Sequence, residues 1–185
     1  MKSEKEKMLS GEEYLPETNE LKTDRKRAKA LCNKINSISD TENTERKILL
    51  KKLLGKCEDD IIIEPNFFCD YGYNISAGRA FYINHNCVIL DCAPVKFGDN
   101  VIIGPNCGFY TAQHPINAEE RAKGYETAKP ITIGKNVWIG GNVTVLAGVT
   151  VGDNVVIGAG SVVTKDIPSN VVAFGNPCKA VKTID

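Results

Sequence analysis

The chain has 185 residues, and its 23 lysines and arginines balance 23 aspartates and glutamates. That length supports one sizeable domain with a small appendage, and a zero net charge argues against nucleic-acid or acidic-membrane partners. Apolar runs such as Ile61-Ile62-Ile63 stay far below the roughly 20 residues of a membrane span, the opening Met-Lys-Ser-Glu-Lys-Glu-Lys does not read as a signal peptide, and seven scattered cysteines without a Cys-x-x-Cys pair fit a cytoplasmic protein without a disulfide framework or zinc site.

Residues 1–60 hold 27 of the 46 charges, whereas 14 of the 16 glycines lie beyond residue 60. The charged part predicts a helical segment over 1–60. Leu21, Ala28, Leu31, Cys32, Ile35 and Ile38 recur at helical steps along one side. Ser39-x-x-Glu42 has capping-box spacing before a second helix that carries Leu49, Leu50, Leu53 and Leu54 and stops near Gly55. A shorter helix before Gly11 is also expected. Most of this charge reads as solvated surface, and Tyr14 is the one position here that could carry chemistry.

From residue 61 onward the chain repeats in sixes. Val95-Lys-Phe-Gly-Asp-Asn and Val101-Ile-Ile-Gly-Pro-Asn are followed, after a gap, by Ile131-Thr-Ile-Gly-Lys-Asn, Val137-Trp-Ile-Gly-Gly-Asn, Val149-Thr-Val-Gly-Asp-Asn and Val155-Val-Ile-Gly-Ala-Gly. Upstream the frame runs through Ile63, Cys69, Ile75, Phe81 and Cys87, with Ala93-Pro94 as extra residues. Sixteen such hexads make about five three-sided coils of a parallel β-helix. Opening residues stack inside, and glycine or asparagine takes the positive φ of the corners. Cysteines 69, 87 and 107 occupy opening positions and read as small interior groups. The excursion at 113–130 is 18 residues long, so it interrupts the repeat without changing its phase.

The segments Cys69-Asp-Tyr-Gly-Tyr-Asn-Ile75, Thr111-Ala-Gln-His-Pro-Ile116, Asn136-Val-Trp-Ile-Gly-Gly141 and Val163-Thr-Lys-Asp-Ile-Pro168, with Gly175-Asn-Pro177, resemble the maltose and galactoside O-acetyltransferases among the hexapeptide-repeat acyltransferases. The resemblance covers nearly the whole chain and favours the maltose-type branch. It implies a mainly β protein, a left-handed parallel β-helix over 61–185 with an N-terminal α-helical cap and a C-terminal tail. It also implies a homotrimer with active sites between subunits, acetyl-CoA as co-substrate and a sugar acceptor.

His85 and His114 are the only histidines, too few for a three-histidine zinc site, and no metal is expected. His114 sits where the repeat breaks, and long excursions from a solenoid often carry function. The resemblance makes it the general base that deprotonates a sugar hydroxyl in a direct transfer. Glu126, in the same excursion, is the candidate for orienting the imidazole. The resemblance places the acceptor near Asp70, Asn84 and Asp91. Asn84 could also steady the developing oxyanion. Asp70 and Cys92 stand where the galactoside pattern has serine and aspartate, which leaves the acceptor open. Gly141, Ala159, Thr164 and Lys165 are expected along the pantetheine arm of the coenzyme, with Lys179 and Lys182 at its phosphates. Another hydroxyl acceptor, such as a xenobiotic, or a non-catalytic β-helix are the competing readings.

Overall fold

The computed structural model describes residues 1–38 and 43–184, so the Ser39-x-x-Glu42 box lies outside the described residues. Three helices lead the chain: α1 (Glu4–Ser10), α2 (Asn19–Ser37) and α3 (Asn43–Leu53). Ser3 and Glu6 form a reciprocal capping box at the start of α1, and Gly11 ends it at φ 75°. Leu21, Ala28, Cys32 and Ile35 are the buried stripe of α2. The same helix covers the end strand of one face of the solenoid, Phe67–Cys69. Asn36 Nδ2 donates to the Phe67 carbonyl and its Oδ1 accepts from the Phe67 amide, both at 2.9 Å, so this open sheet edge is partly paired.

The rest is a three-sided parallel β-helix. Face one stacks Ile62–Ile63, Tyr82–Ile83, Ile102–Ile103, Trp138–Ile139, Val155–Ile157 and Val171–Gly175, and an antiparallel strand Cys178–Thr183 finishes it. Face two stacks Phe67–Cys69, Cys87–Leu90, Gly108–Tyr110, Thr144–Leu146 and Val162–Val163. Face three stacks Ile75–Ala77, Val95–Phe97, Ile131–Ile133 and Thr150–Val151. Face one therefore counts six parallel rungs, one more than the hexad arithmetic gives. Interior positions such as Ile83, Val101, Ile139 and Val143 are completely buried, and this stacked aliphatic column is the main core.

Asparagine and glycine divide the corner work. Asn100, Asn136, Asn154 and Asn170 adopt positive φ, and Asn100 donates to Asn136 at 2.9 Å, as Asn154 does to Asn170. Glycine at the fourth position answers a different constraint. A Cβ on Gly98 would lie 2.7 Å from the Gly134 carbonyl oxygen of the next coil, so successive coils could not close together.

The upstream frame differs from the expected one. Phe67, not Cys69, is in register with Cys87 and points inward, and Ile61 is buried beside Ile63. Two extra residues within 70–74 shift the phase, as Ala93-Pro94 do one coil later. Cys69 is consequently half-buried, with its Sγ 3.8 Å from Cys32 of α2. The corner leading into face three is thus lengthened in consecutive coils, at 70–74, at 91–94 and again at the excursion.

That excursion is ordered by its own hairpin. Ala112–Gln113 pairs antiparallel with Thr127–Ala128, and a short helix α4 (Ala118–Ala122), capped by Asn117, fills its tip. Met8, Tyr14 and Leu21 pack with Tyr71, Cys92, Ala93 and Ala128 in a second core beside this corner. The N-terminal segment is therefore fastened to the base of the excursion.

Outward-facing residues separate the faces chemically. In register, face one presents Ile62, Tyr82, Ile102, Trp138, Val156 and Val172. Face two presents Phe68, Val88, Gly108, Thr144 and Val162. Face three presents Ser76, Lys96, Thr132 and Thr150. Ile102 and Trp138 are 50% and 57% exposed, which leaves a continuous apolar ladder on one side of the prism. Among the described residues, no helix is long and apolar enough to cross a membrane.

Candidate active site

The lengthened corner is where reactive side chains gather. His114 follows the Ala112–Gln113 strand directly, and Glu126 precedes its partner strand, so the hairpin closes the two ends of the excursion on each other. His114 Nε2 lies 3.7 Å from Glu126 Oε1. The other carboxylate oxygen, Oε2, accepts a 2.7 Å hydrogen bond from the Tyr14 hydroxyl. Tyr14 also exchanges two backbone hydrogen bonds with Glu126, both at 3.0 Å. A fully buried tyrosine thus fixes both the backbone and the side chain of the glutamate. Burial pushes the Tyr14 phenol far up, so it stays protonated and can only donate to the carboxylate. The imidazole itself stands half open to solvent.

His114 and Glu126 line a hollow of about 260 Å³ together with Asp70, Tyr71, Arg25 and Cys92. Arg25 reaches across from α2 to the Tyr71 hydroxyl at 2.9 Å and to Glu17 at 2.7 Å. Asp70 is half-buried, and burial raises its pKa against the lowering influence of Cys92 and Arg25. Asp70 therefore has a polar carboxyl inside the histidine's own hollow.

Asp91 is corrected by the structure. It has no exposed surface. Its Oδ1 accepts from the Asp70 and Tyr71 amides at 3.0 and 2.9 Å, and its Oδ2 from Gly72 and Asn74 at 2.7 and 3.3 Å. With both oxygens committed to backbone, Asp91 holds the 70–74 loop in shape and offers nothing to a sugar hydroxyl. Burial outweighs these amides and pushes its pKa up to about 7.

Asn84 is on a different edge. It borders a groove of about 460 Å³ over face one, with Tyr82, Trp138, Gly141 and Ala159, and His114 is not among the lining residues. Ala159 and Gly141 edge this groove where the chain turns from face one to face two. A Cβ on Gly141 would meet the Pro105 ring and carbonyl at 3.3 Å and stand in the groove mouth, so glycine keeps it open. Thr164 and Lys165 are exposed at the corner that follows face two, the same edge that carries His114 two coils earlier. Lys179 and Lys182 stand opposite Phe174 and Val172 in the last strand, where a register shift between Val172 and Ala173 lets residues three apart share one side. One chain brings together His114, Glu126 and Asp70, and separately Asn84, Gly141 and Ala159.

Sequence reasoning singles out Tyr14 without giving it a partner and misses Arg25 altogether. Tyr14 is 112 positions from its carboxylate partner, and no local pattern encodes that pairing. Among the described residues, no group of three or more His, Cys, Asp or Glu side chains is placed to hold a metal ion.

Comparison with known proteins agrees with this architecture. A family model described as the maltose acetyltransferase hexapeptide capping motif matches residues 7–58, and one for the bacterial transferase hexapeptide (six repeats) matches residues 130–165. The crystal structure of a maltose O-acetyltransferase from Clostridium difficile 630 is similar at 48% identity and a TM-score of 0.98, covering 100% of this chain and 98% of that one. A galactoside acetyltransferase in complex with coenzyme A is similar at 41% identity and a TM-score of 0.96, covering 100% of this chain and 92% of that one. A hexapeptide-repeat acetyltransferase from Vibrio cholerae O1 biovar eltor, complexed with acetyl coenzyme A, is similar at 38% identity and a TM-score of 0.92, with 100% of both chains covered.

Proposed function

The chain belongs to the maltose and galactoside O-acetyltransferase family of hexapeptide-repeat proteins, and on that premise we propose that it acetylates a sugar hydroxyl from acetyl-CoA by direct transfer. The observation that carries the proposal is the chain of contacts from Tyr14 to Glu126 to His114 on the wall of a hollow that also holds Asp70. It supplies a base, a group that orients the base and a polar anchor for the acceptor in one place.

Acetyl-CoA supplies the activated acyl thioester. Nε2 faces Glu126 at 3.7 Å, and closure of that gap to hydrogen-bond distance on substrate binding would favour the tautomer carrying hydrogen on that nitrogen and leave Nδ1 as the proton acceptor. His114 takes the proton of the acceptor hydroxyl as that oxygen bonds to the thioester carbonyl carbon. The carbon–sulfur bond then breaks, and His114 returns the proton to the departing thiolate. Asn84 is the candidate donor for the negative charge that develops on the carbonyl oxygen. Asp70 is the candidate acceptor-binding group. Gly141, Ala159, Thr164 and Lys165 would flank the pantetheine arm, and Lys179 and Lys182 would meet the phosphates as point charges.

His114 and Asn84 border different hollows of one chain, which supports a homotrimer in which the edge of one prism completes the edge of the next. Face one carries a continuous apolar outer ladder and face three a polar one. A head-to-tail contact closes into a ring when the rotation it imposes divides a full turn, and a rotation of one third of a turn closes after three copies.

Thiol release from acetyl-CoA with maltose, glucose, isopropyl-thiogalactoside and chloramphenicol as acceptors tests the reading. Turnover with a sugar is expected, and His114→Ala should reduce it by roughly 10²–10⁴-fold, the usual range for losing a general base. Near-normal turnover in that variant would remove His114 from the mechanism. Preference for chloramphenicol over every sugar would replace the sugar with a xenobiotic acceptor.

A further inference from the structure

Helix α2 overhangs the outer side of face two and encloses a hollow of about 670 Å³, larger than the histidine's own. The two spaces share Arg25, Asp70 and Leu90 as walls, so a ligand seated at His114 extends naturally into the larger one. Lys22, Arg25, Lys26 and Lys29 face it from α2, at steps of three, one and three that keep them on one side of the helix. Phe68, Val88 and Leu90 form its other wall.

The charges here do not balance internally. Glu17 pairs with Lys22 at 3.0 Å and with Arg25 at 2.7 Å. Among the described residues, Lys26 and Lys29 have no carboxylate partner. The one carboxyl in the lining, Asp70, faces Arg25 on the side shared with the histidine hollow, and burial raises its pKa. Cations grouped on an apolar wall repel one another until an anion joins them, and a partly enclosed site strengthens that attraction relative to open water.

We propose that this hollow is the distal part of the acceptor site and selects acceptors bearing an anionic group, a phosphate or a carboxylate, remote from the hydroxyl that is acetylated. The proposal rests on the acetyltransferase reading above. Phe68, Val88 and Leu90 lie against the carbon-bearing face of the acceptor, while Lys26 and Lys29, with Arg25 as the link to the histidine hollow, hold its charge. The coenzyme's phosphates do not compete for these cations in this arrangement, because Lys179 and Lys182 lie at the opposite end of the solenoid, on the strand that finishes face one.

Glucose, glucose 6-phosphate and glucuronate are the probes. Their binding to the CoA-saturated protein is measured by calorimetry and their acetylation by thiol release. At least one charged probe should bind and turn over about tenfold better than glucose, the scale of one or two charge-assisted hydrogen bonds. Which charged probe wins identifies phosphate or carboxylate as the recognised group. The advantage should fall toward one in Lys26→Gln/Lys29→Gln, a surface double variant that leaves the buried stripe of α2 intact, and shrink in about 0.3 M salt. Equal or better binding of glucose would overturn the proposal, as would a double variant that weakens CoA binding and spares the charged probe. Selective binding of a charged probe without thiol release from any acceptor would uphold the anionic site and defeat acetyl transfer instead.

Discussion

Replacing Tyr14 with phenylalanine removes one hydroxyl and little volume, which makes it the sharpest probe of how the base is positioned. The 2.7 Å bond to Glu126 would be lost, and the carboxylate would be free to leave its place opposite His114. We expect kcat to fall by about tenfold, the scale of one hydrogen bond to a charged group, with KM for acetyl-CoA unchanged. A rise in that KM with kcat intact would mean that Tyr14 only packs. The place of His114 at the excursion was legible in the sequence, because a regular repeat breaks there. Glu126 could be read as its neighbour in the same excursion, but the bond that holds Glu126 could not, since Tyr14 reaches it only after the N-terminal segment has docked on the base of the excursion. Asp91 was misjudged for a related reason. Residue type suggested a sugar ligand, but burial and four backbone donors decide what a carboxylate can reach.

Among the elements, the 70–74 loop links Asp91 to the site. The folded chain holds the Asp91 proton up to about pH 7, whereas an ordinary carboxyl of this kind releases it near 3.8. Between those values the folded state binds more proton than the unfolded one, so this group makes stability fall as pH rises from about 4 to 7. Urea midpoints across that window should therefore decline more steeply in the native protein than in Asp91→Asn. An equal or reversed slope would show that the four amides hold the carboxylate ionised throughout. The repeat made the strands and the corner asparagines readable in advance. It did not reveal the two extra residues within 70–74, because Ile63 and Cys69 are also apolar and mimic the frame they do not occupy. On the opposite edge, Ala159→Leu would fill the mouth of the face-one groove. It should raise KM for acetyl-CoA by about tenfold while leaving thermal stability near native, since Ala159 is exposed. An unchanged KM would move the pantetheine arm elsewhere.

At the scale of the whole molecule, the prism gives three surfaces of unequal chemistry, and the account depends on what that inequality does. The solenoid and its helical cap could be read from periodicity and charge density. Which outer faces meet another copy could not, because the outward positions of a hexad vary freely while its inward positions stay aliphatic. Only the register places Tyr82, Ile102, Trp138 and Val156 in a single ladder. If the edge carrying His114 works with the Asn84 edge of a second copy, two separately inactive variants must repair each other. His114→Ala and Asn84→Ala protomers, mixed in equal amounts by joint refolding or co-expression, should regain about a quarter of native turnover, because that share of seams in random trimers pairs an intact histidine with an intact asparagine. No recovery in verified mixed assemblies would contradict the shared site and return both residues to a single chain.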